Sequence, residues 1–102
     1  MKICVTSQGP SLNGEFERHF AKAPYFIFYD STTRKSESIR NGFVASDSGL
    51  GRNTVQLLEM HGITDVITGE TGDAARALLA AAGISLHLFD GSGRVREALK
   101  IL

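Results

Sequence analysis

Residues 63–89 read ITDVITGETGDAARALLAAAGISLHLF, and this stretch decides the fold. An apolar run at 63–68 is followed by alanine and leucine residues at helical spacing over 71–82. Gly83 is a typical helix stop, and a second apolar run occupies 84–89. Because a helical crossover joins the two strands, we expect them to run parallel in one sheet.

Three further strands are predicted in the N-terminal half. Residues 2–7 form a short run rich in β-branched side chains, PYFIFYD at 24–30 is nearly continuous in aromatic and aliphatic residues, and 36–44 alternates loosely. The last two predict an antiparallel hairpin. The polar stretch 8–23 is long for a connection and can form a helical turn over 15–20, and long ordered loops often carry function.

Two more helices complete the pattern. Apolar residues at helical spacing predict one helix over about 51–61, stopped by Gly62, and another over 93–102. A hairpin joined to two βα units predicts a mixed sheet covered by helices, an α/β protein of three layers. A chain of 102 residues has room for one domain, over residues 1–102.

The composition narrows the class of protein. Lysine plus arginine number 11, as do aspartate plus glutamate, so the positive field that favours nucleic acid is absent. Cys4 is the only cysteine, which excludes an internal disulfide and a paired-cysteine metal motif. No run approaches the roughly 20 apolar residues of a membrane span, and no signal-peptide core is evident. We expect a soluble, cytoplasmic protein with neither membrane nor nucleic-acid partners.

Three blocks of sequence stand out, MKICVTSQG at 1–9, HFAKAPYFIFYD at 19–30 and GLGRNTVQLLEMHGITDVITGETGDAARALLAAAGI at 49–84. Together they resemble the dinitrogenase iron-molybdenum cofactor biosynthesis family over nearly the whole chain. The family usually has His-Phe-Gly-Arg-Ala-Pro-Tyr-Phe in the second block. Here Ala21 replaces the glycine and Lys22 the arginine, so a planar guanidinium fork becomes a point charge while the positive charge is kept.

The resemblance implies a ribonuclease H-like α/β/α fold with a mixed five-stranded sheet, ordered 3-2-1-4-5 with one antiparallel strand. It also implies a non-enzymatic role, the transient binding or carrying of an iron-sulfur or iron-molybdenum cluster precursor. The partners would be metal-cofactor assembly proteins. The oligomeric state and the host's capacity for nitrogen fixation stay open.

In that strand order, a crevice forms where strands one and four leave the sheet in opposite directions. We expect residues 7–9, residues 68–72 and part of the loop bearing His19 and Lys22 to line it. His19 is the candidate metal ligand, because a neutral imidazole in a loop suits a metal or a cluster, and the alternative is a hydrogen-bonded loop anchor. Lys22 would add electrostatic support for an anionic cluster.

A glycine-containing loop, GLGRN at 49–53, is a second candidate contact. Free N–H groups of Gly49 and Gly51 at a helix start, assisted by Arg52, can receive an anion. The alternative is an ordinary loop that begins a helix.

A third candidate contact is the loop GETGD at 69–73, where Gly69 and Thr71 would shape the crevice and contact the precursor. The carboxylates of this loop repel an anion. They favour instead a cap on the following helix, made by Thr71 or Asp73.

The other metal-ligating residue types have structural alternatives. His61 ends a predicted helix, where it suits the helix dipole, and His87 lies within a predicted strand. Cys4 is expected to be an inert core thiol, and ligand roles for Cys4 and His87 stay open. A cubane cluster normally needs about four thiolates, so this chain is expected to hold a cluster only transiently.

An enzyme of the two-metal nuclease type is disfavoured, because the strand at 2–7 has no carboxylate to join Glu15, Glu17 or Asp30. Two functions remain. The first is a non-enzymatic carrier of a cluster precursor. The alternative is a metal-free regulatory or interaction module that binds a partner protein or a small anion.

Overall fold

The computed structural model describes residues 1–42 and 52–102, which contain one five-stranded mixed sheet. Its strands and helices, in chain order, are β1 (Lys2–Ser7), β2 (Tyr25–Asp30), β3 (Lys35–Arg40), α1 (Arg52–Met60), β4 (Asp65–Thr68), α2 (Asp73–Ala81), β5 (Ser85–Leu88) and α3 (Val95–Ala98), followed by a 3-10 turn (Leu99–Ile101).

The spatial order of the strands is β3-β2-β1-β4-β5. β2 is antiparallel to both of its neighbours, whereas β1 pairs with β4, and β4 with β5, in parallel. The predicted α/β class, the order 3-2-1-4-5 and the single antiparallel strand are therefore confirmed. The carboxyl ends of β1, β4 and β5 all lie at one edge of the sheet, which we call the carboxyl edge.

Alternating side chains of the sheet feed two apolar cores, one on each face. Cys4 and Phe26 face α1 and α2, where they pack with Leu58 and Leu79. Their strand neighbours face α3 in a second core, with members Ile3, Val5, Ile27, Ile67, Val95 and Ala98. The two cores give the three layers that the element pattern predicts.

Several element boundaries differ from prediction. Pro24 lies outside β2, because proline has no N–H to donate to the ladder. The helix predicted over 93–102 is split into α3 and the 3-10 turn. Two predicted ends, residues 43–44 of the third strand and residue 51 of the first helix, lie outside the described residues.

The helical turn predicted over 15–20 is wrong. Glu15, Phe16 and His19 instead form isolated β-bridges, to Arg94, Ser7 and Glu70 respectively. Among the helices described, none has the length and apolar character needed to cross a membrane.

Candidate functional site

The segment 16–20 crosses the carboxyl edge of the sheet from one face to the other. Phe16 is buried in the core on the α3 side, where its ring meets Phe89 edge-on at 5.1 Å between centroids. Phe20 is buried in the core on the α1 and α2 side, against Phe26. The two phenylalanines therefore anchor the segment at both ends and leave the residues between them at the edge.

Two fully buried threonines hold the middle of this segment. Thr6 is the next-to-last residue of β1 and Thr68 is the last residue of β4, and their Oγ1 atoms lie 3.0 Å apart. Thr6 Oγ1 donates to the carbonyl oxygen of Glu17 at 2.5 Å, and Thr68 Oγ1 donates to that of Arg18 at 3.2 Å. The crevice predicted between these strands is thus filled by the loop itself.

Gly69 allows the loop after β4 to approach segment 16–20 closely. A Cβ atom at Gly69 would lie 2.7 Å from Arg18 Cα and 2.9 Å from its carbonyl oxygen. The N–H groups of Gly69 and Glu70 both donate to Arg18 O, at 2.9 and 2.6 Å, and Phe20 N–H donates to Glu70 O at 3.1 Å. These bonds place His19 and Glu70 side by side.

His19 lies between two carboxylates, one at each ring nitrogen. Its Nδ1 is 2.9 Å from Glu17 Oε2, and its Nε2 is 2.8 Å from Glu70 Oε1, an ion pair when the ring is protonated. The His19 side chain is 50% exposed. His19 is thus neither buried in a core nor enclosed by the sheet, and its ring is within reach of a large ligand.

An open cleft of about 300 Å³ lies beside the His19 ring. Its described lining comes from the two loops at the carboxyl edge, His19 to Lys22 on one side and Glu70 to Gly72 on the other. Lys22 is exposed there and supplies a positive charge. The expected gathering of the histidine-bearing loop and the loop after β4 is therefore present, whereas residues 7–9 do not line this cleft.

The other candidate contacts are placed differently from one another. Thr71 lines the cleft, but Gly69 does not, and the N–H of Gly69 is already bonded to Arg18. Arg52 is the exposed first residue of α1 and is not among the described residues of the cleft. Gly49 and Gly51 lie outside the described residues.

The predicted capping of α2 by Thr71 or Asp73 is wrong. The N-cap residue is Gly72, which makes no side-chain capping bond, and the Thr71 hydroxyl donates to the Gly72 carbonyl oxygen at 3.1 Å. Asp73 lies in the first turn, where its charge still suits the positive end of the helix dipole.

The remaining histidines have structural partners. His61 Nδ1 lies 3.0 Å from Leu57 O, and His87 Nε2 lies 2.8 Å from Asp65 Oδ2. Burial raises the pKa of Asp65, but hydrogen bonds from Thr64 and His87 outweigh it, so the pKa is below its ordinary value.

Cys4 has no exposed surface, and burial raises the pKa of its thiol far above the ordinary value. A metal ligand must be the thiolate, so this thiol is unsuited to bind a cluster.

In the ranges 1–42 and 52–102, no three His, Cys, Asp or Glu side chains are arranged to hold a metal ion. Glu17 and Glu70 lie at opposite nitrogens of the His19 ring, so these three groups cannot converge on one metal. Within the described residues, the candidate contacts for a ligand at this edge are Nε2 of His19, which Glu70 now faces, and the ammonium group of Lys22.

Reasoning from the sequence missed the two carboxylates at His19 and the threonine pair beneath them. One signal was available for the threonines. Each threonine comes directly after the apolar residues of its strand, and the two strands are expected to be neighbours. The parallel register therefore places the two hydroxyls together.

The fold and the site define a class of protein, a small three-layer α/β protein with a half-exposed histidine in an open cleft at the carboxyl edge of its sheet. The family model described as dinitrogenase iron-molybdenum cofactor matches residues 1–102, and the chain belongs to this family.

Two solved structures at more than 30% identity share the fold. The apo form of the orange protein from Desulfovibrio gigas is 33% identical, with a TM-score of 0.91, over 97% of this chain and 83% of that chain. A putative NifB protein from Thermotoga is 32% identical, with a TM-score of 0.86, over 97% and 84%. The comparison with curated proteins gave no match.

Proposed function

We propose that this chain is a non-enzymatic carrier of an iron-sulfur or iron-molybdenum cluster precursor, here called the cargo, and that His19 is its ligand. One observation carries the proposal. The His19 ring is half exposed at an open cleft, and its Nδ1 is held by a largely buried carboxylate, Glu17, so that Nε2 faces only the exposed carboxylate of Glu70. A carboxylate on the far nitrogen is the usual support for a metal-binding histidine.

The donor set supports a loose grip on the cargo. Proteins hold iron-sulfur clusters with about four ligands, commonly thiolates, and the only thiol of this chain is enclosed in the core. His19 would supply one bond, and Lys22 would attract the negative charge of the cargo. A carrier of this kind can release what it binds, because it does not enclose it.

The rest of the proposal concerns the setting. Membership of the family supports a place in cofactor assembly, and the partners would be assembly proteins that give or receive the cargo. We propose further that residues 1–102 act as one domain and that the protein works in the cytoplasm. Thr71 would contact the cargo from the far side of the cleft.

The test is anaerobic reconstitution of the purified chain with ferrous iron and sulfide, followed by gel filtration. Visible absorption and the iron and sulfide contents of the protein fraction are measured. We expect the wild type to retain a chromophore and His19→Ala to lose most of it. His61→Gln is the matched control, because it removes a histidine whose Nδ1 contacts a backbone carbonyl outside the described cleft residues.

Two outcomes would contradict the proposal. One is a wild type that retains neither iron nor sulfide, and the other is equal retention by His19→Ala. If metal analysis stays blank while phosphate raises the melting temperature, the metal-free anion-binding alternative is supported instead.

A further inference from the structure

We infer that Glu70 occupies the cargo-binding nitrogen of His19 and must swing away before the cargo binds, so that Glu70 tunes the affinity of the carrier. This inference rests on the proposed function of His19. It assigns the two carboxylates at the ring opposite roles, one fixed and one displaceable.

Glu17 is the fixed carboxylate. Its side chain is only 13% exposed, and it accepts hydrogen bonds from the His19 N–H at 2.9 Å and from Gln8 Nε2, in addition to its contact with Nδ1. Its backbone is also held, since Glu17 N–H donates to Thr6 O at 3.1 Å. With these partners, Glu17 can orient the ring but cannot readily leave it.

Glu70 is the displaceable carboxylate. Its side chain is 58% exposed, and within the part of the chain that the structure describes the only ion-pair partner of the carboxylate is His19 Nε2. Its backbone is fixed by the bonds to Arg18 and Phe20, so the carboxylate pivots about a stationary Cα. An exposed ion pair of this kind contributes little free energy and is easily exchanged.

The position of Glu70 makes it a competitor of the cargo on two grounds. Its Oε1 stands 2.8 Å from Nε2, close enough to obstruct a metal atom of the cargo that approaches this nitrogen. Its negative charge also lines the cleft opposite Lys22 and repels an anionic cluster. Removal of this carboxylate should therefore strengthen cargo binding, because the contact with Nε2 that it removes is made only in the cargo-free protein.

The first test needs no cargo. Carbethoxylation by diethyl pyrocarbonate attacks a ring nitrogen that is not engaged by a partner, and mass spectrometry measures its rate at His19. We expect Glu70→Ala to raise this rate about two- to five-fold, the range set by an exposed ion pair. Asp73→Ala removes an exposed carboxylate from the first turn of α2 that forms no ion pair with the ring, and it should leave the rate unchanged.

The second test measures cargo retention after reconstitution with ferrous iron and sulfide. Glu70→Ala should bind more tightly than the wild type by about two- to five-fold and more tightly than Asp73→Ala. Glu70→Asp keeps the charge and shortens the reach, so it should expose Nε2 in the first test and gain less affinity in the second.

The outcomes separate the two proposals. If the wild type retains cargo, but Glu70→Ala changes neither the rate at His19 nor retention beyond Asp73→Ala, the role of Glu70 is overturned and the carrier function stands. If the rate rises in Glu70→Ala but no variant retains cargo, the carrier function fails, and the exchange of Glu70 for cargo fails with it.

Discussion

Glu17 and Glu70 carry the same functional group, and their surroundings give them different roles at the same histidine. A carboxylate with several donors around it stays in place, whereas one with a single exposed contact exchanges with solvent. The chemistry of His19 therefore depends on how each carboxylate is held.

At the residue scale, the first prediction concerns Glu17. Glu17→Gln removes the negative charge that fixes Nδ1 and makes Nε2 a better ligand, so cargo affinity should fall about ten-fold. Glu15→Gln, an exposed neighbour in the same loop, is the control and should bind as the wild type does. The measurement is iron retained after gel filtration as a function of protein concentration. Equal iron retention by the two variants would contradict this role of Glu17.

Part of this site could be predicted at the residue scale. His19 and Lys22 stand out in the sequence because polar residues precede a buried aromatic strand. Glu70, the carboxylate at Nε2 of His19, could not be found in this way, because it lies far along the chain, and only the pairing of two loop segments brings it to the ring. A local pattern contains no information on such a contact.

At the scale of elements, the close approach of two loops is what positions the histidine. Arg18 O, in segment 16–20, accepts hydrogen bonds from the N–H groups of Gly69 and Glu70. The buried threonines join the segment to β1 and β4. The ring of His19 thus rests on strand ends rather than on a free loop.

This arrangement predicts a strong effect of Gly69→Ala. The new Cβ would meet the Arg18 backbone at 2.7 Å, and overpacking of this kind costs about 1–3 kcal/mol of the free energy of unfolding. It should also displace His19 and lower cargo retention. Gly42→Ala, at a position outside the described cleft residues where no atom lies within 4 Å of the new Cβ, should change neither quantity. Urea unfolding measures the free energy of unfolding of both variants, and reconstitution measures their cargo retention. A Gly69→Ala variant with the stability and cargo retention of the wild type would contradict this prediction.

The segment 15–20 shows why one element was predicted incorrectly. Phe16 and Phe20 are four residues apart, the spacing of one helical face, but each is buried in a different core. Spacing alone does not distinguish a helical turn from an extended segment that crosses a sheet edge. The hydrogen bonds from the Thr6 and Thr68 hydroxyls favour the extended segment.

For the whole molecule, the part of the topology that has local signals could be predicted from the sequence. Glycine stops, apolar runs and a helical crossover fix parallel β4 and β5, and the aromatic hairpin fixes the antiparallel pair. The order 3-2-1-4-5 came from the family resemblance, and the structure confirms it. The contacts within the site could not be predicted in this way, because side-chain pairs between distant segments have no local sequence signature.

Global stability should depend on pH through Asp65, which joins β4 to β5 by its contact with His87. Its pKa is lowered in the folded state, so its contribution is present above the ordinary value of about 3.9 and is lost as the pH falls through the lowered pKa. Asp65→Asn should be less stable than the wild type at pH 7, and the gap should narrow below about pH 4. Urea unfolding at several pH values measures this, with Asp90→Asn as an exposed control. A gap that is constant with pH would contradict it.

The most direct test of the account is electron-nuclear double resonance on protein labelled with ¹⁵N-histidine and loaded anaerobically with a reduced, paramagnetic iron-sulfur precursor. We predict a hyperfine coupling from one histidine nitrogen that is lost in His19→Ala and kept in His61→Gln. A loaded protein without ¹⁵N coupling, or one whose coupling survives in His19→Ala, would contradict the claim that His19 binds the cargo.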